Sequence, residues 1–263
     1  MSTIGTVESL WRYPVKSMRG EELPQLFAGF AGVYGDRMFA FHSSAGRKGL
    51  PFLTAREQAR MLAFRPRFRH PEKAAAPFNL TDAERLGAGA TPMYASPPDL
   101  AVDVETPEGK TLAIDDPALI ETLRGGLVDA PQLTLIRSDR AQTDCRPLSL
   151  IALSSIKQLG DESGLTIDKR RFRANLYLDL TSGEAFAEDR FVGRSVRVGA
   201  KATLAIRQRD SRCMIITLNP ETGEKSPAVL KTVAQKHEGF AGVYAVVLVE
   251  GMMHRGDAVE LLD

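Results

Sequence analysis

The chain has 263 residues, of which 43% are hydrophobic and 25% are charged, and its formal net charge at pH 7 is +1. Such a composition is typical of a globular protein that can bury a sizeable core. A chain this close to neutral has no general attraction for nucleic acid or for an anionic membrane surface, and it contains no run of about 18 apolar residues. We therefore expect no nucleic-acid partner and no membrane span.

The amino-terminal segment lacks the apolar centre of a secretory signal peptide. The two cysteines, Cys145 and Cys213, are too few for the disulfide framework that stabilises many small secreted domains. We expect both to be reduced thiols and predict a cytoplasmic location.

Short strands dominate the predicted elements. Runs rich in β-branched and aromatic residues, bounded by turn residues, favour strands. The clearest case is a hairpin over residues 100–114, in which Val102 and Val104 alternate with acidic residues before a Pro-Glu-Gly-Lys turn. The other predicted strands cover residues 3–13, 38–42, 133–136, 176–180, 195–198, 203–206, 214–217, 243–249 and 258–262.

Three short helices are predicted between these strands. Asp116 can cap a helix over residues 117–123, and Ser154 can cap one that ends at Gly160. The third helix is predicted over residues 227–236.

The segment 74–98 is rich in Ala, Gly and Pro and has weak periodicity, so we expect a loop and an edge strand there. Many short strands with few helices predict a mainly β fold with short helices (α+β), of barrel or sandwich architecture.

Common cofactor motifs are absent from the sequence. The four histidines have no zinc-type spacing with one another or with a cysteine, and there is no Walker loop and no Gly-x-Ser-x-Gly elbow. We find no sequence motif for a flavin, a nicotinamide, a nucleoside triphosphate or an iron–sulfur cluster. A redox function would therefore need electrons from another protein.

The stretch WRYPVKSMR places Lys16 and Ser17 at a turn after an aromatic strand, where a lysine, a hydroxyl and free backbone N–H groups can hold a phosphate. Arg37 and Arg56 each adjoin a turn, and a guanidinium suits phosphate or carboxylate. The alternatives are a solvated lysine and surface ion pairs.

The stretch DKRRFRAN is basic. If it is extended, Arg171 and Arg173 share one face, and Asn175 offers both a donor and an acceptor, as a flat heterocycle requires. The alternative is a nucleic-acid surface, which the neutral charge of the whole chain disfavours.

The stretch DCRPLS places a carboxylate, a thiol and a guanidinium on consecutive residues, Asp144, Cys145 and Arg146. A polar loop that enters an apolar strand is a reasonable pocket wall. The alternative is a capped turn in which Cys145 is half-buried.

Cys213 follows Ser211 and Arg212. A free cysteine is often a small buried hydrophobic residue, but neighbouring positive charge favours the thiolate, which is the form that attacks or ligates. One thiolate without histidine or carboxylate partners is a poor zinc site. It suits a soft metal whose other ligands come from a cofactor.

Taken in order, these stretches resemble the MOSC family, which includes the mitochondrial amidoxime-reducing components and the carboxy-terminal domains of molybdenum cofactor sulfurases. The resemblance implies a β-barrel MOSC core over residues 117–263 and an associated β-barrel-like domain over residues 1–116. It rests on LWRYPVKSM (10–18), GDRMFAF (35–41), FLTAREQARM (52–61), RFRANLYLD (171–179), AEDRFVG (187–193), SRCMIITLNPETG (211–223) and GVYAVVLVEGMMHRGDAVEL (242–261).

The resemblance also implies a cofactor, molybdenum with molybdopterin. Cys213 would ligate the metal, beside the dithiolene sulfurs of one pterin and oxo groups, and Asp144 would act with it in catalysis. The cofactor-binding residues would be Lys16, Ser17, Arg37, Arg56, Cys145, Arg146, Arg173, Asn175, Ser211 and Arg212.

One stretch departs from the family pattern, since well-known members carry Asp-Thr-Ser where this chain has Asp144, Cys145 and Arg146. A second thiol near the metal would alter the choice of substrate or allow a regulatory disulfide with Cys213, unless Cys145 simply packs. The sequence leaves these alternatives open.

The family resemblance predicts an oxidoreductase that reduces small N-hydroxylated compounds, such as hydroxylamines or amidoximes, with electrons from a partner protein of flavin, iron–sulfur or haem type. The alternatives are a sulfur carrier that holds a persulfide on Cys213, and a non-catalytic protein that binds or inserts the cofactor. Molybdenum near one per chain would favour the first over the sulfur carrier.

Overall fold

The computed structural model describes residues 2–86 and 90–262. The helices are α1 (Leu80–Leu86), α2 (Pro117–Arg124), α3 (Leu153–Ser163) and α4 (Pro227–Lys236). The strands are β1 (Ser2–Arg12), β2 (Glu21–Leu23), β3 (Gln25–Gly29), β4 (Gly32–Val33), β5 (Phe39–Arg47), β6 (Leu50–Phe52), β7 (Arg65–Phe68), β8 (Val102–Glu105), β9 (Thr111–Ala113), β10 (Leu133–Arg137), β11 (Leu148–Ala152), β12 (Leu176–Leu180), β13 (Ser195–Val198), β14 (Ala202–Ser211), β15 (Phe240–Val249), β16 (Gly251–His254) and β17 (Ala258–Leu262).

Seven strands form a barrel in the order β1, β12, β11, β15, β14, β13 and β17, and the pairing of β17 with β1 closes it. Neighbouring strands are antiparallel except β11 and β12, which run parallel. Alternate side chains point inward and form an aliphatic core that includes Val7, Leu10, Leu178 and Leu204. The barrel closes because β1 has a partner on each side.

Three small sheets enclose a second core beside the barrel, in the orders β10-β5-β6, β16-β3-β4 and β7-β8-β9. This core is richer in aromatic residues and includes Tyr34, Phe41, Phe64 and Leu100. The prediction of a mainly β fold with a barrel core is confirmed.

The hairpin predicted over residues 100–114 is confirmed as β8 and β9. Asp116 caps α2 as predicted, since its Oδ1 accepts a hydrogen bond from the backbone N–H of Ala118 at 2.8 Å, and α4 has the predicted bounds. Local capping and turn chemistry therefore determine these elements.

The predicted bounds of α3 are wrong. The helix continues past Gly160 to Ser163 and is capped by Gly164, whose φ of 68° is left-handed and suits glycine. Ser154 is not the cap, because the helix begins at Leu153 and Ala152 holds the N-cap position. The hydroxyl of Ser154 instead donates to the carbonyl of Glu184 at 2.9 Å.

The strand predicted over residues 214–217 is also wrong, because the segment forms a 3-10 turn. The hydroxyl of Thr217 donates to the carbonyl of Met214 at 2.6 Å, and Arg171 Nη1 donates to the carbonyl of Thr217 at 2.8 Å. These bonds occupy carbonyls that a strand would offer to its neighbours.

Within residues 74–98, helix α1 replaces the predicted edge strand, and the described part of this segment contains no strand. Residues 87–89 lie outside the described residues. The amide of Asn79 closes the loop, since it donates to the carbonyl of Thr91 at 3.0 Å and accepts from the backbone N–H of Met93 at 2.8 Å.

Among the helices within residues 2–86 and 90–262, none has the length and apolar character needed to cross a bilayer.

Candidate functional site

A cavity of about 440 Å³ lies where the ends of several barrel strands meet loops of the small sheets. Seven basic and two acidic side chains line it. All twelve residues that the sequence singled out border this cavity, although their roles stay predictions: Lys16, Ser17, Arg37, Arg56, Asp144, Cys145, Arg146, Arg173, Asn175, Ser211, Arg212 and Cys213.

Cys213 lies just beyond β14 and its side chain is partly exposed. Arg56 Nη2 lies 3.2 Å from Cys213 Sγ and 2.9 Å from Asp144 Oδ2. Asp144 also forms an ion pair with Lys16, whose Nζ donates to the carbonyl of Gln142 at 2.8 Å. A thiol, a carboxylate and two cations therefore form one connected network.

This network keeps Asp144 ionised. Burial alone would raise the pKa of the carboxyl, but Lys16 and Arg56 outweigh burial, so the pKa lies below its ordinary value. Burial lowers the pKa of Lys16, although the neighbouring Asp144 carboxylate acts to raise it. Lys16 therefore releases a proton more easily than a surface lysine does.

Two guanidinium groups enclose the ring of Tyr13. The guanidinium carbons of Arg37 and Arg173 lie 4.5 and 4.4 Å from the ring centroid. Arg37 Nη2 donates to the carbonyl of Arg173 at 3.0 Å, and Arg173 Nη1 donates to the carbonyl of Met18 at 2.8 Å. The ring and these carbonyls hold both cations in fixed positions at the cavity wall.

Burial lowers the pKa of Arg173 to about 10, so this side chain is still charged at neutral pH. Burial also acts to lower the pKa of Arg37, but the carboxylate of Asp36, with 2.5 Å between Nη1 and Oδ2, raises it overall.

The backbone is left-handed at three lining residues that are not glycine, with φ of 65° at Ser17, 44° at Arg37 and 52° at Arg173. Such conformations are disfavoured for residues with a Cβ and are often found at functional sites. Arg171 and Arg173 do not alternate along an extended strand, because residues 169–172 form a 3-10 turn.

Asn175 is buried and joins two barrel strands. Its Nδ2 donates to the carbonyl of Trp11 at 3.1 Å, and its Oδ1 accepts from the backbone N–H of Ser149 at 3.3 Å. Each amide atom has one further hydrogen-bonding position, so the side chain can still serve a heterocycle in the cavity.

The segments on either side of Cys213 are clamped to the turn over residues 169–172. Arg212 Nη1 donates to the carbonyl of Phe172 at 2.9 Å, while Arg171 Nη1 donates back to the carbonyl of Thr217. Arg212 is also paired with the buried Asp210, with 2.8 Å between Nη2 and Oδ2. Burial raises the pKa of Asp210 in spite of this pairing.

The loop from Thr143 to Arg146 forms the exposed side of the cavity. Cys145 is exposed, which contradicts the half-buried alternative, and its Sγ accepts a hydrogen bond from Gln208 Nε2 at 3.5 Å. Arg146 is exposed as well.

The hydrogen-bond partners of the buried guanidinium nitrogens indicate whether the lining suits an anionic cofactor. Within residues 2–86 and 90–262, three buried guanidinium nitrogens of this cavity have neither a hydrogen-bond partner nor an ion-pair partner. An unpaired buried donor is costly, so these groups suit a bound group rich in oxygen and sulfur acceptors. The three are Arg56 Nη1, Arg171 Nε and Arg173 Nη2.

The side chains that could ligate a metal also limit the kind of metal centre that the cavity could hold. The described residues contain no group of three or more His, Cys, Asp and Glu side chains that could hold a metal ion. A thiol in the lining would suit a soft metal whose remaining ligands come from a cofactor.

Sequence reasoning missed several lining residues. Asp210 and Tyr244 lie on neighbouring barrel strands, and only the register of β14 and β15 brings them together. Asp210 could have been identified from the sequence, because it lies three residues before Cys213. The other missed residues are Thr54, Thr143, Ser149, Phe172, Ile215 and Ile216.

Comparison with family models identifies both parts of the chain. Residues 137–260 match the MOSC domain, and residues 4–96 match the MOSC N-terminal beta barrel domain. The chain belongs to the MOSC family. The family recognised from the sequence motifs is thereby confirmed.

Curated relatives match part of the chain. The molybdenum cofactor sulfurase of Drosophila ananassae is 34% identical over 90 residues, which is 34% of this MOSC chain and 11% of that protein. The molybdenum cofactor sulfurase of Drosophila willistoni is 31% identical over 103 residues, which is 38% of this chain and 12% of that protein. The matched stretch therefore spans about a tenth of each relative.

Among solved structures, the YuaD protein from Bacillus subtilis aligns with 98% of this chain and 94% of its own, at 12% identity and a TM-score of 0.49. YiiM from Geobacillus stearothermophilus aligns with 45% of this chain and 55% of its own, at 18% identity and a TM-score of 0.35.

Proposed function

We propose that this MOSC protein binds molybdenum with molybdopterin and acts as an oxidoreductase on small N-hydroxylated compounds. The observation that carries the proposal is the convergence of the Cys213 thiol and seven basic side chains on one cavity. The family and the relation to proteins named molybdenum cofactor sulfurases support a link to this cofactor.

The buried cations would hold the anionic parts of the cofactor. Arg37 and Arg173 are fixed against Tyr13, and Lys16, Ser17 and Asn175 line the same cavity. Cys213 would ligate the metal, and the bound cofactor would supply two-electron redox chemistry.

The network around Asp144 would position the reacting groups. Arg56 donates to both Cys213 and Asp144, which fixes the thiol relative to the carboxylate. Removing an N–OH oxygen as water consumes protons, and Lys16 Nζ holds a proton whose release burial favours.

An electron-delivering partner is part of the proposal. The chain carries no sequence motif for a second redox cofactor, so a flavin, iron–sulfur or haem protein would have to reduce the site. An artificial one-electron donor such as reduced methyl viologen can replace that partner in an assay.

A sulfur-carrier function is the second candidate. Cys213 is partly exposed and Arg56 donates to its sulfur, an arrangement that would also stabilise a persulfide anion. The name sulfurase among the curated relatives supports the same alternative.

The deciding experiment is elemental analysis of molybdenum per chain on protein made in a host that synthesises the cofactor. We expect near-stoichiometric metal in the wild type, a loss in Cys213→Ser and little change in the matched control Cys145→Ser. Loaded protein should then oxidise reduced methyl viologen in the presence of benzamidoxime.

Three other results have distinct meanings. Absence of metal, in a host that loads a control molybdoenzyme, would overturn the proposal. Cyanide-labile sulfur on the wild type but not on Cys213→Ser would then support the sulfur carrier. Stoichiometric metal without turnover of any N-hydroxylated compound would indicate a protein that binds the cofactor without catalysis.

A further inference from the structure

At the exposed side of the cavity lies a cation that no acid among the described residues neutralises. Arg146 is exposed, and in the part of the chain that the structure describes no carboxylate lies within ion-pair distance of it. It is therefore available to a ligand that enters from solvent.

The two acids of the lining are already paired. Asp144 is bound by Lys16 and Arg56, and the buried Asp210 is bound by Arg212. Neither carboxylate is free to offset Arg146. The lining therefore has a large excess of positive charge, and part of that excess lies where substrate would enter.

The inner cations and Arg146 differ in their surroundings. Arg37 and Arg173 are buried and held by backbone carbonyls and by Tyr13, which suits a group that stays bound. Arg146 has no hydrogen-bond partner among the described side chains and backbone atoms, and it follows the exposed Cys145 on an irregular loop. An exposed guanidinium without partners suits a ligand that arrives and leaves.

We propose that Arg146 makes this site selective for N-hydroxylated substrates that also carry a carboxylate or another anionic group. The inference rests on the proposed function and specifies its substrate class. A guanidinium at the opening attracts an anion from solution and can bind its carboxylate through two N–H groups. A neutral N-hydroxylated compound of the same shape would have neither the electrostatic attraction nor the hydrogen bonds to the guanidinium.

The test compares benzamidoxime with para-carboxybenzamidoxime on molybdenum-loaded protein, with reduced methyl viologen as the electron donor. We expect kcat/KM to be about fivefold higher for the carboxylate, mainly through a lower KM. Arg146→Ala should bring the ratio of the two kcat/KM values close to one, and Arg146→Glu should reverse the preference.

Arg140 provides the matched control. It is exposed on the same loop, it has no ion-pair partner among the described residues, and it borders a different groove. Arg140→Ala makes the same change in net charge and should keep the preference. Raising the salt concentration should lower kcat/KM for the carboxylate and leave the value for benzamidoxime nearly constant.

Equal kcat/KM for the two compounds, or equal effects of Arg146→Ala and Arg140→Ala, would overturn the inference and leave the proposed function standing. If neither compound is turned over, the proposed reductase function fails. Calorimetric titration of the loaded protein with both compounds then decides the inference: tighter binding of the carboxylate that depends on Arg146 supports it, and equal binding or none overturns it.

Discussion

The guanidinium of Arg56 lies 3.2 Å from the sulfur of Cys213, although the two residues are 157 positions apart in the chain. Arg56 follows β6 in a small sheet, whereas Cys213 follows β14 of the barrel. The contact therefore joins the two cores of the molecule at the site, and the same guanidinium nitrogen binds Asp144.

This relationship predicts that Arg56 helps to retain the metal. Arg56→Gln removes the charged donor from both Cys213 and Asp144, so the thiolate ligand loses a charge-assisted hydrogen bond. We expect loaded protein to lose molybdenum about tenfold faster during dialysis, as followed by elemental analysis. Arg56→Lys should lose it at an intermediate rate.

Arg140→Gln is the control for this measurement, since Arg140 is an exposed arginine away from the cavity lining. It should lose metal at the wild-type rate. Identical rates for Arg56→Gln and the wild type would show that the contact with Cys213 does not contribute to retention.

The Asp144 network predicts a pH dependence of stability. Because the pKa of Asp144 is lowered in the folded state, its ionised form contributes stability that is fully present above the unfolded carboxyl pKa of about 4. That contribution is lost as the pH falls through the lower folded value. The difference in unfolding free energy between wild type and Asp144→Asn should therefore be constant from pH 5 to 7 and shrink below pH 4.

Urea unfolding of the metal-free protein measures this difference. Asp179→Asn is the control, because Asp179 is an exposed strand residue with no ion pair among the described residues. A constant difference for Asp144→Asn down to pH 3 would show that the carboxylate is not held by Lys16 and Arg56.

The sequence selected residues that line one cavity more reliably than it predicted the local structure around them. Motif order identified the family, and the motif residues converge because the family fold brings them together. The 214–217 turn shows the limit of local reasoning. Its β-branched residues favour a strand, but Arg171, which is distant in sequence, binds the carbonyl of Thr217 and supports a 3-10 turn.

Contacts that depend on the register between paired strands could not be predicted from the sequence for a similar reason. Tyr244 reaches the cavity because β15 pairs with β14, and that pairing contains several register shifts. Nothing in the residues near Tyr244 predicts those shifts. Short strands such as β2 and β4, with three and two residues, are likewise too short to produce a recognisable alternation.

Arg171 should stabilise the turn that follows Cys213. Arg171→Met keeps much of the apolar stem and removes one of two donors to the carbonyl of Thr217, since the backbone N–H of Ser226 still donates to it, so the cost should be about 1 kcal/mol. Urea unfolding of the metal-free protein should show this loss. Arg207→Met, at an exposed strand position with no side-chain hydrogen bond among the described residues, should change stability by less than about 0.5 kcal/mol.

Position 242 requires glycine because its backbone is left-handed and because there is no room for a Cβ beside Arg212 and β11. Its φ is 77°, and a Cβ built there would lie 2.6 Å from the carbonyl oxygen of Leu150 and 3.1 Å from Arg212 Nη2. Gly242→Ala should therefore cost about 1–3 kcal/mol for the left-handed backbone and more for the clash with the β11 backbone.

Gly239→Ala separates these two costs. Gly239 has a similar φ of 87°, but a Cβ there would meet no atom within 4 Å, so this variant carries the backbone cost alone. Urea unfolding should find Gly242→Ala less stable than Gly239→Ala by at least about 1 kcal/mol. Equal losses would mean that β11 and β15 can separate at no cost, which is incompatible with the pairing of Leu150 and Val243 in the closed barrel.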